Sequence, residues 1–188
     1  MKAAAAYILQ NGGVENAHIS TKFMLALHKL YPWPARFPIP LFVLGFPRWL
    51  PLSFHRLSSY VRTHFAPLLI LGHSRFSIEV PNKETIHQLY VSRKYKKLSK
   101  QEAKKTNGFK RRSYQKAEKY MLSHIEDDGT LHSYASATLF MVYAMLALGY
   151  KTDSPLIEQA LHGLIGHMDE VGTTLHLQNS PSAIWIPL

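Results

Sequence analysis

The sequence predicts an all-α protein built from helical hairpins that pack side by side. Apolar residues recur at helical spacing in several segments, a stretch of 20 residues carries no Lys, Arg, Asp or Glu, and the order helix, Gly turn, helix occurs twice. A hydrophobic content of 46% in 188 residues is sufficient for a buried core. Repeated helical hairpins of this kind are typical of an α/α toroid.

The first hairpin begins at the amino terminus. The stretch "MKAAAAYILQ" predicts a helix that ends at Gly12 and Gly13, and its apolar run is too short for a signal peptide. An apolar helix in "AHISTKFMLALHKLY" follows. The order helix, Gly turn, apolar helix occurs again where "AEKYMLSHIEDDG" precedes "SYASATLFMVYAMLALGY". Tyr7 and Tyr120 are equivalent positions of the two copies and lie 113 residues apart.

The next segment, residues 31–67, contains seven prolines, which exclude a long helix before about Pro51. It is also rich in Phe, Trp, Tyr and Leu, so we expect it to pack against apolar surface. From Leu52 onward, "LSFHRLSSYVRTHF" predicts a helix. One face of that helix would carry Leu57, Tyr60, Val61, His64 and Phe65.

Three further helices are predicted in the second half of the chain. The first lies in "SYQKAEKYMLSHI", with Ser113 as its cap, and ends at Asp127-Asp128-Gly129. The uncharged stretch from Leu131 to Tyr150 predicts a core helix, because polar Ser, Thr and Tyr residues argue against a membrane span. The last helix opens at Ser154-Pro155 and carries an apolar stripe that comprises Ile157, Ala160, Leu161, Leu164, Ile165 and Met168.

The net charge of +10 is concentrated in residues 93–112, "RKYKKLSKQEAKKTNGFKRR", which hold ten Lys or Arg and one Glu. Such a run is typical of three situations: a solvated helix or loop, a contact with an anionic membrane surface, or a contact with nucleic acid. The residues alone leave these open.

Motifs for several chemistries are absent from the sequence. It contains no P-loop, no dinucleotide fingerprint, no His-Glu-x-x-His, no nucleophile elbow and no cysteine. His162 and His167 are five residues apart, which is the wrong spacing for a helical metal pair. The acidic cluster Glu126-Asp127-Asp128 precedes a Gly, which favours a turn over a proton-sharing carboxylate pair. Aromatic and apolar surface remains, and aromatic faces stabilise cations without attacking them.

Four stretches resemble the squalene-hopene cyclase family of triterpene cyclases, and they occur in the order that the family has them. They are "KFMLALHKLYPWP", "LPLSFHRLSSYVRTHFAPLLIL", "AEKYMLSHIEDDGTLHSYASATLFMVYAMLALGY" and "HLQNSPSAIW". The "DDGTL" turn is similar to a degenerate copy of the family's Gln-x-x-x-Gly-x-Trp repeat, with Leu131 in place of Trp.

The resemblance implies an α/α barrel of the terpenoid cyclase and prenyltransferase type, which is incomplete here. Residues 1–188 would form a single partial domain that matches the amino-terminal, second and non-catalytic barrel, with the basic segment 93–112 near the membrane-binding surface. Members of the family are isomerases of the intramolecular transferase kind. They are monotopic membrane proteins on the cytoplasmic side that cyclise a polyprene without a cofactor or metal. A nucleic-acid partner is not expected.

The resemblance also implies which residues bind substrate. Tyr60 stands where hopene cyclases carry a cavity Trp, and Tyr there is similar to Bacillus-type enzymes that act on tetraprenyl-β-curcumene instead of squalene. Leu57 and Phe65 match positions along the substrate entry channel, and Trp185 matches a second cavity Trp. The family's catalytic acid lies in Asp-x-Asp-Asp, which does not occur here because Ile125 precedes the acidic cluster. No catalytic residue is therefore assigned.

The carboxyl terminus suggests a reason for the missing acid. The family motif continues Trp-Asp-Thr-Ala-Leu, and one base deleted from TGG GAT ACC GCT TTA A gives Trp-Ile-Pro-Leu-stop, the ending found here. We therefore expect a frameshifted, amino-terminally incomplete remnant of a cyclase that is inactive alone. Two alternatives are a membrane-associated protein that binds a polyprenyl lipid without turnover, and one half of a split cyclase whose downstream chain supplies the acid.

Overall fold

A computed structural model describes residues 2–34, 37–47, 49–51, 53–80, 86, 88–91, 108–172 and 174–178. Its described helices and strands are α1 (Lys2–Gln10), α2 (Ile19–Leu27), α3 (Ser59–Ser74), α4 (Gly108–Leu122), α5 (Ala135–Leu148), α6 (Pro155–Gly166), β1 (Met168–Val171) and β2 (Thr174–Leu177). Short 3-10 helices lie at Val14–Asn16, Leu41–Gly45 and Phe54–Arg56. The predicted all-α class is confirmed, since the described sheet is a single two-stranded hairpin. None of the described helices has the length and hydropathy to cross a membrane.

The chain forms two compact units. The first comprises Met1–Phe37 and Arg75–Lys105, and the second comprises Pro38–Ser74 and Thr106–Leu188. The assignment of residues 1–188 to one partial barrel domain stays a prediction.

The first unit contains α1 and α2, joined by the predicted Gly turn. Gly13 has a φ of 68°, and the adjacent Val14 donates its N–H to the Leu89 carbonyl at 3.1 Å. The buried ring of Trp33 lies edge-on to Phe23 at 5.0 Å and donates its Nε1–H to Ser77. The helical hairpin is thus tied to residues far along the chain.

The second unit is built on packed helices. The helix α3 contacts both α4 and α5, and α5 contacts α6. The uncharged helix α5 has buried residues on most of its surface, including Met141 and Met145, as predicted for a core helix. It ends at Gly149, whose φ of 99° provides the left-handed cap.

The proline-rich segment is folded as predicted before Pro51, with 3-10 turns and no long helix among its described residues. Its burial is uneven. Leu41 and Leu44 are buried, whereas Phe42 and Trp49 are exposed to 49% and 76%. The expected apolar packing therefore holds for only part of the segment.

Several details of the sequence prediction are wrong. The helix predicted from Leu52 begins only at Ser59, because Phe54–Arg56 forms a separate 3-10 turn that is followed by extended backbone at Leu57. The helix α4 ends at Leu122, before the acidic cluster, because Ile125 already pairs with Leu131.

Ser113 does not cap α4, because the helix begins at Gly108 and Ser113 is buried inside it. The helix starts earlier than predicted because residues 110–112 are strong helix formers. Met168 lies in β1 and not on the last helix, since α6 ends at Gly166 and the chain turns back at Gly172, where φ is 64°, to pair as a hairpin.

A further correction concerns the apolar stripe of α6. Ile157 and Ala160 are buried as expected, but Leu161 and Ile165 are exposed. The face of α6 that packs on the rest of the unit instead includes Gly163, which approaches the 126–130 turn closely.

Candidate functional site

Tyr60, the residue that the sequence predicts to face a cavity, lies in the first turn of α3 and is half exposed. Its ring is edge-on to Tyr134, with centroids 5.2 Å apart at 85°, and 4.4 Å from the His64 ring. His64 and Tyr134 are themselves 5.6 Å apart, so the three rings form a closed group. Edge-to-face packing of this kind is a favourable arrangement for aromatic rings.

Hydrogen bonds fix the orientation of His64 within this group. Its Nδ1 lies 2.9 Å from the Tyr60 carbonyl, which can only accept, so Nδ1 carries the proton. Its Nε2 lies 2.9 Å from Ser136 Oγ at the start of α5, which donates when the imidazole is neutral. The imidazole thus joins α3 to α5 and holds the Tyr60 ring against Tyr134.

A second aromatic group lies where α4 meets the loop before α5. Tyr120 stacks on His124 with centroids 4.2 Å apart, and Phe54 meets Tyr120 edge-on at 5.2 Å. His124 lies 4.8 Å from His132, which shares its loop with Tyr134 of the first group. The pair Tyr120 and His124 repeats the Tyr-x-x-x-His spacing of Tyr60 and His64, including a bond from Nδ1 to the tyrosine carbonyl.

The remaining predicted site residues are only partly placed. Phe65 is half-buried in α3. Leu57 is half-buried but precedes α3 in extended backbone, so it does not continue the helical face as predicted. Trp185 lies outside the described residues, as do residues 93–107 of the basic segment; the described remainder of that segment starts α4. A shared cavity around Leu57, Tyr60, Phe65 and Trp185 stays a prediction.

The partners His64, Tyr134 and Ser136 do not emerge from the sequence as site residues. The helical pattern puts His64 on the same face as Tyr60 but gives it no role. The repeated Tyr-x-x-x-His spacing, once within α3 and once at the end of α4, is the signal that could identify it, since residues four apart in a helical segment lie on one side of it.

The acidic cluster forms the turn that the sequence favours. Asp128 Oδ1 accepts bonds from the Thr130 N–H at 2.8 Å and from the Thr130 hydroxyl at 2.7 Å, and Gly129 has a φ of 85°. Glu126 accepts a bond from Ser133. The carboxylates of Asp128 and Glu126 therefore accept hydrogen bonds within the loop and stabilise it. Among the described residues, no group of three His, Asp or Glu is placed to hold a metal.

The electrostatics of this loop make stability depend on pH. Burial lowers the pKa of His132, and the nearby His124 and Arg62 lower it further, while Glu126 opposes the shift. The folded state therefore binds fewer protons than the unfolded state just below pH 6.5, the ordinary pKa of a histidine.

We expect the free energy of unfolding to fall as the pH falls through 6.5 toward the lower pKa of folded His132. His132→Gln should reduce this loss, which urea unfolding at about pH 7.5 and about pH 5.5 would measure. Part of the loss should remain, because burial also lowers the pKa of His28. His162→Gln replaces an exposed histidine and is the matched control. Equal pH dependence in wild type and His132→Gln would contradict the assignment.

The mostly helical fold agrees with the all-α class that the resemblance to cyclases implies. The family model for the squalene-hopene cyclase N-terminal domain matches residues 1–108 and 95–170, and the chain belongs to this family.

Individual relatives support the same membership. Sporulenol synthase of Bacillus subtilis (strain 168) is 35% identical over 98% of this chain and 32% of its own length. Dammaradiene synthase of Dryopteris crassirhizoma is 23% identical over 98% of this chain and 30% of its own length. A probable squalene-hopene cyclase of Sinorhizobium fredii is 29% identical over 48% of this chain and 14% of its own length. The chain thus spans about a third of the length of the first two relatives.

Proposed function

We propose that this chain forms part of the wall of a triterpene cyclase cavity, in which a polyprene is cyclised through carbocations. The observation that carries the proposal is the ring group of Tyr60, His64 and Tyr134, at the position where the family has a cavity aromatic. Aromatic faces stabilise a nearby cation by up to about 2 kcal/mol when water is excluded. The proton must come from elsewhere, because these 188 residues contain no Asp-x-Asp-Asp.

The substrate that we propose is tetraprenyl-β-curcumene, with squalene as the alternative. The support is Tyr60 itself, where a smaller aromatic ring replaces the Trp of hopene cyclases, together with the 35% identity to sporulenol synthase. Leu57 and Phe65 would line the path by which the substrate enters, and Trp185 would face the same cavity.

We also propose that the chain lies on the cytoplasmic face of the cell membrane, held peripherally through residues 93–112. The support is the charge of that segment, with ten Lys or Arg against one Glu. Each Lys or Arg near an anionic surface contributes about 1 kcal/mol. Flotation of anionic vesicles with the chain at low and high salt tests this contact, which should weaken with salt.

The test of the cyclase proposal combines this chain with the rest of Bacillus subtilis sporulenol synthase, from which the aligned segment has been deleted. Each substrate is supplied in vesicles that contain anionic lipid. We expect no cyclic product from the 188-residue chain alone and cyclic product from the pair. Cyclic product from this chain alone would overturn the proposal. Retention of substrate without any product in the pair would favour the second candidate, a polyprenyl-lipid-binding protein.

Variants of Tyr60 make the same assay specific for the site. Tyr60→Ala should lower turnover by about tenfold to thirtyfold, the equivalent of one lost cation–π contact, whereas Tyr60→Phe should retain most activity. Tyr7→Ala, an exposed tyrosine of the first unit, is the control. Equal losses of turnover in the Tyr60→Ala and Tyr7→Ala chains would show that Tyr60 does not line the cavity.

A further inference from the structure

A cleft in the second unit opens between the 3-10 helix Leu41–Gly45 and α4. Its volume is about 430 Å³, within the range of about 300–1,000 Å³ that is usual for small-ligand sites. Leu44 and Phe54 are buried and line it, and Phe46 and Pro47 add apolar wall. None of Leu57, Tyr60 or Phe65 lines this cleft, so it is separate from the predicted substrate positions.

One side of the cleft is cationic. Lys116 and Lys119 lie three residues apart on α4, on the same side of the helix, and both line the cleft. Within the part of the chain that the structure describes, neither lysine forms an ion pair, and no carboxylate lines the cleft. Glu118, between them, is bonded to the Tyr150 hydroxyl at 2.7 Å. A cleft with charge of one sign and apolar walls attracts ligands of the opposite charge.

The same wall contains a polar atom without a partner. The Tyr120 hydroxyl is buried and has no hydrogen-bond partner among the described residues, although its ring is held by Phe54 and His124. Tyr120 also lines the cleft. A buried hydroxyl left unpaired is costly, and an acceptor brought by a ligand would remove that cost.

We propose that this cleft binds a single-chain anionic amphiphile, namely the carboxylate of a long-chain fatty acid. The hydrocarbon chain lies against Leu44, Phe46 and Phe54, and the carboxylate lies between Lys116 and Lys119. The volume favours one chain over a two-chain phospholipid, and the apolar walls favour an amphiphile over a free inorganic anion, which would leave them uncovered. This site does not depend on the proposed cyclase function.

The test is displacement of a dansyl-labelled fatty acid from the 188-residue chain by palmitate and by hexadecanol, each kept below the concentration at which it aggregates. Palmitate should bind about tenfold more tightly than the alcohol of equal length, because it alone carries the charge. Lys116→Ala with Lys119→Ala should weaken palmitate about tenfold and leave hexadecanol unchanged. The control is Arg111→Ala with Lys151→Ala, which removes equal charge from two exposed positions of the second unit that do not line the cleft.

A steric variant tests the cleft without altering its charge. A Cβ at Gly45 would have the Lys116 Nζ as its nearest neighbour, at 3.9 Å, so a side chain can start there without a clash, and we expect that of Gly45→Leu to occupy part of the cleft. It should weaken palmitate and hexadecanol alike, with an unchanged circular dichroism spectrum. Equal affinity for acid and alcohol, equal losses in the two double variants, or full binding by Gly45→Leu would each overturn the proposal.

Discussion

Gly129→Ala is expected to lower the free energy of unfolding by about 2–5 kcal/mol. Two costs combine at this residue. Its φ of 85° lies in the left-handed region, which strains a residue that has a Cβ. That Cβ would also lie 2.4 Å from the Gln159 carbonyl oxygen and 2.8 Å from the Ala160 nitrogen in α6, both of which are backbone atoms that cannot rotate away.

The contact is reciprocal, which explains why the expected effect is large. A Cβ on Gly163 of α6 would lie 2.5 Å from the Asp128 carbonyl oxygen, and Gln159 donates to the Asp127 carbonyl at 2.9 Å. The 126–130 turn and α6 therefore approach backbone to backbone. Any displacement of the turn is passed on to the loop that follows it and carries His132 and Tyr134.

Substitutions at two other glycines distinguish the cost of backbone strain from the cost of the close approach to α6. Gly149→Ala keeps the strain, at a φ of 99°, but its Cβ would have no atom within 4 Å, so we expect a loss of only about 1–2 kcal/mol. Gly166→Ala has neither cost and should be neutral or stabilising by up to about 1 kcal/mol. Urea unfolding followed by circular dichroism measures all three. Equal losses in Gly129→Ala and Gly149→Ala would show that the approach to α6 does not matter.

The elements that can be predicted from the sequence are those whose causes are local. Ser154 is the N-cap residue of α6 as expected, although its side chain makes no capping bond, and Pro155 begins the helix because its fixed φ suits the first turn. The uncharged stretch around Met141 is a core helix, since it has no face that favours water. The turn at Asp128 and Gly129 depends on side-chain bonds only two residues long.

The candidate site can be predicted only in part, because its geometry depends on the tertiary fold. Resemblance identifies Tyr60, but its contact with Tyr134 requires two successive residues, His132 and Ser133, in left-handed backbone at φ values of 53° and 54°. Such conformations are rare in non-glycine residues, and the enrichment of His among them is too weak to predict two in succession. They persist because the surrounding structure holds them. The bonds that do so involve Thr138.

Thr138→Val is therefore the second substitution with a large expected effect, a loss of about 1–3 kcal/mol. Thr138 is fully buried in α5, and its Oγ accepts the Leu131 N–H at 2.8 Å while donating to the Tyr134 carbonyl at 2.8 Å. Valine keeps the shape but leaves the Leu131 N–H buried without an acceptor. The Leu131 end of the loop loses its bond to α5, whereas the Tyr134 carbonyl keeps the bond from the Thr138 N–H at 2.9 Å. The loop, and with it the Tyr60 ring group, should therefore loosen from the Leu131 end.

The matched control is Thr63→Val in α3. Thr63 is equally buried, and its hydroxyl likewise donates to the carbonyl four residues earlier, that of Ser59, at 2.8 Å; in the described structure it accepts no backbone N–H. Thr63→Val should lower the free energy of unfolding by much less than Thr138→Val does. Losing the Thr63 hydroxyl leaves no donor unpaired, and the Ser59 carbonyl has a second lone pair. Hydrogen exchange at the Leu131 amide reports the difference directly. Faster exchange in Thr138→Val and unchanged exchange in Thr63→Val are expected; the same exchange rate in all three proteins would mean that this one hydroxyl does not hold the loop.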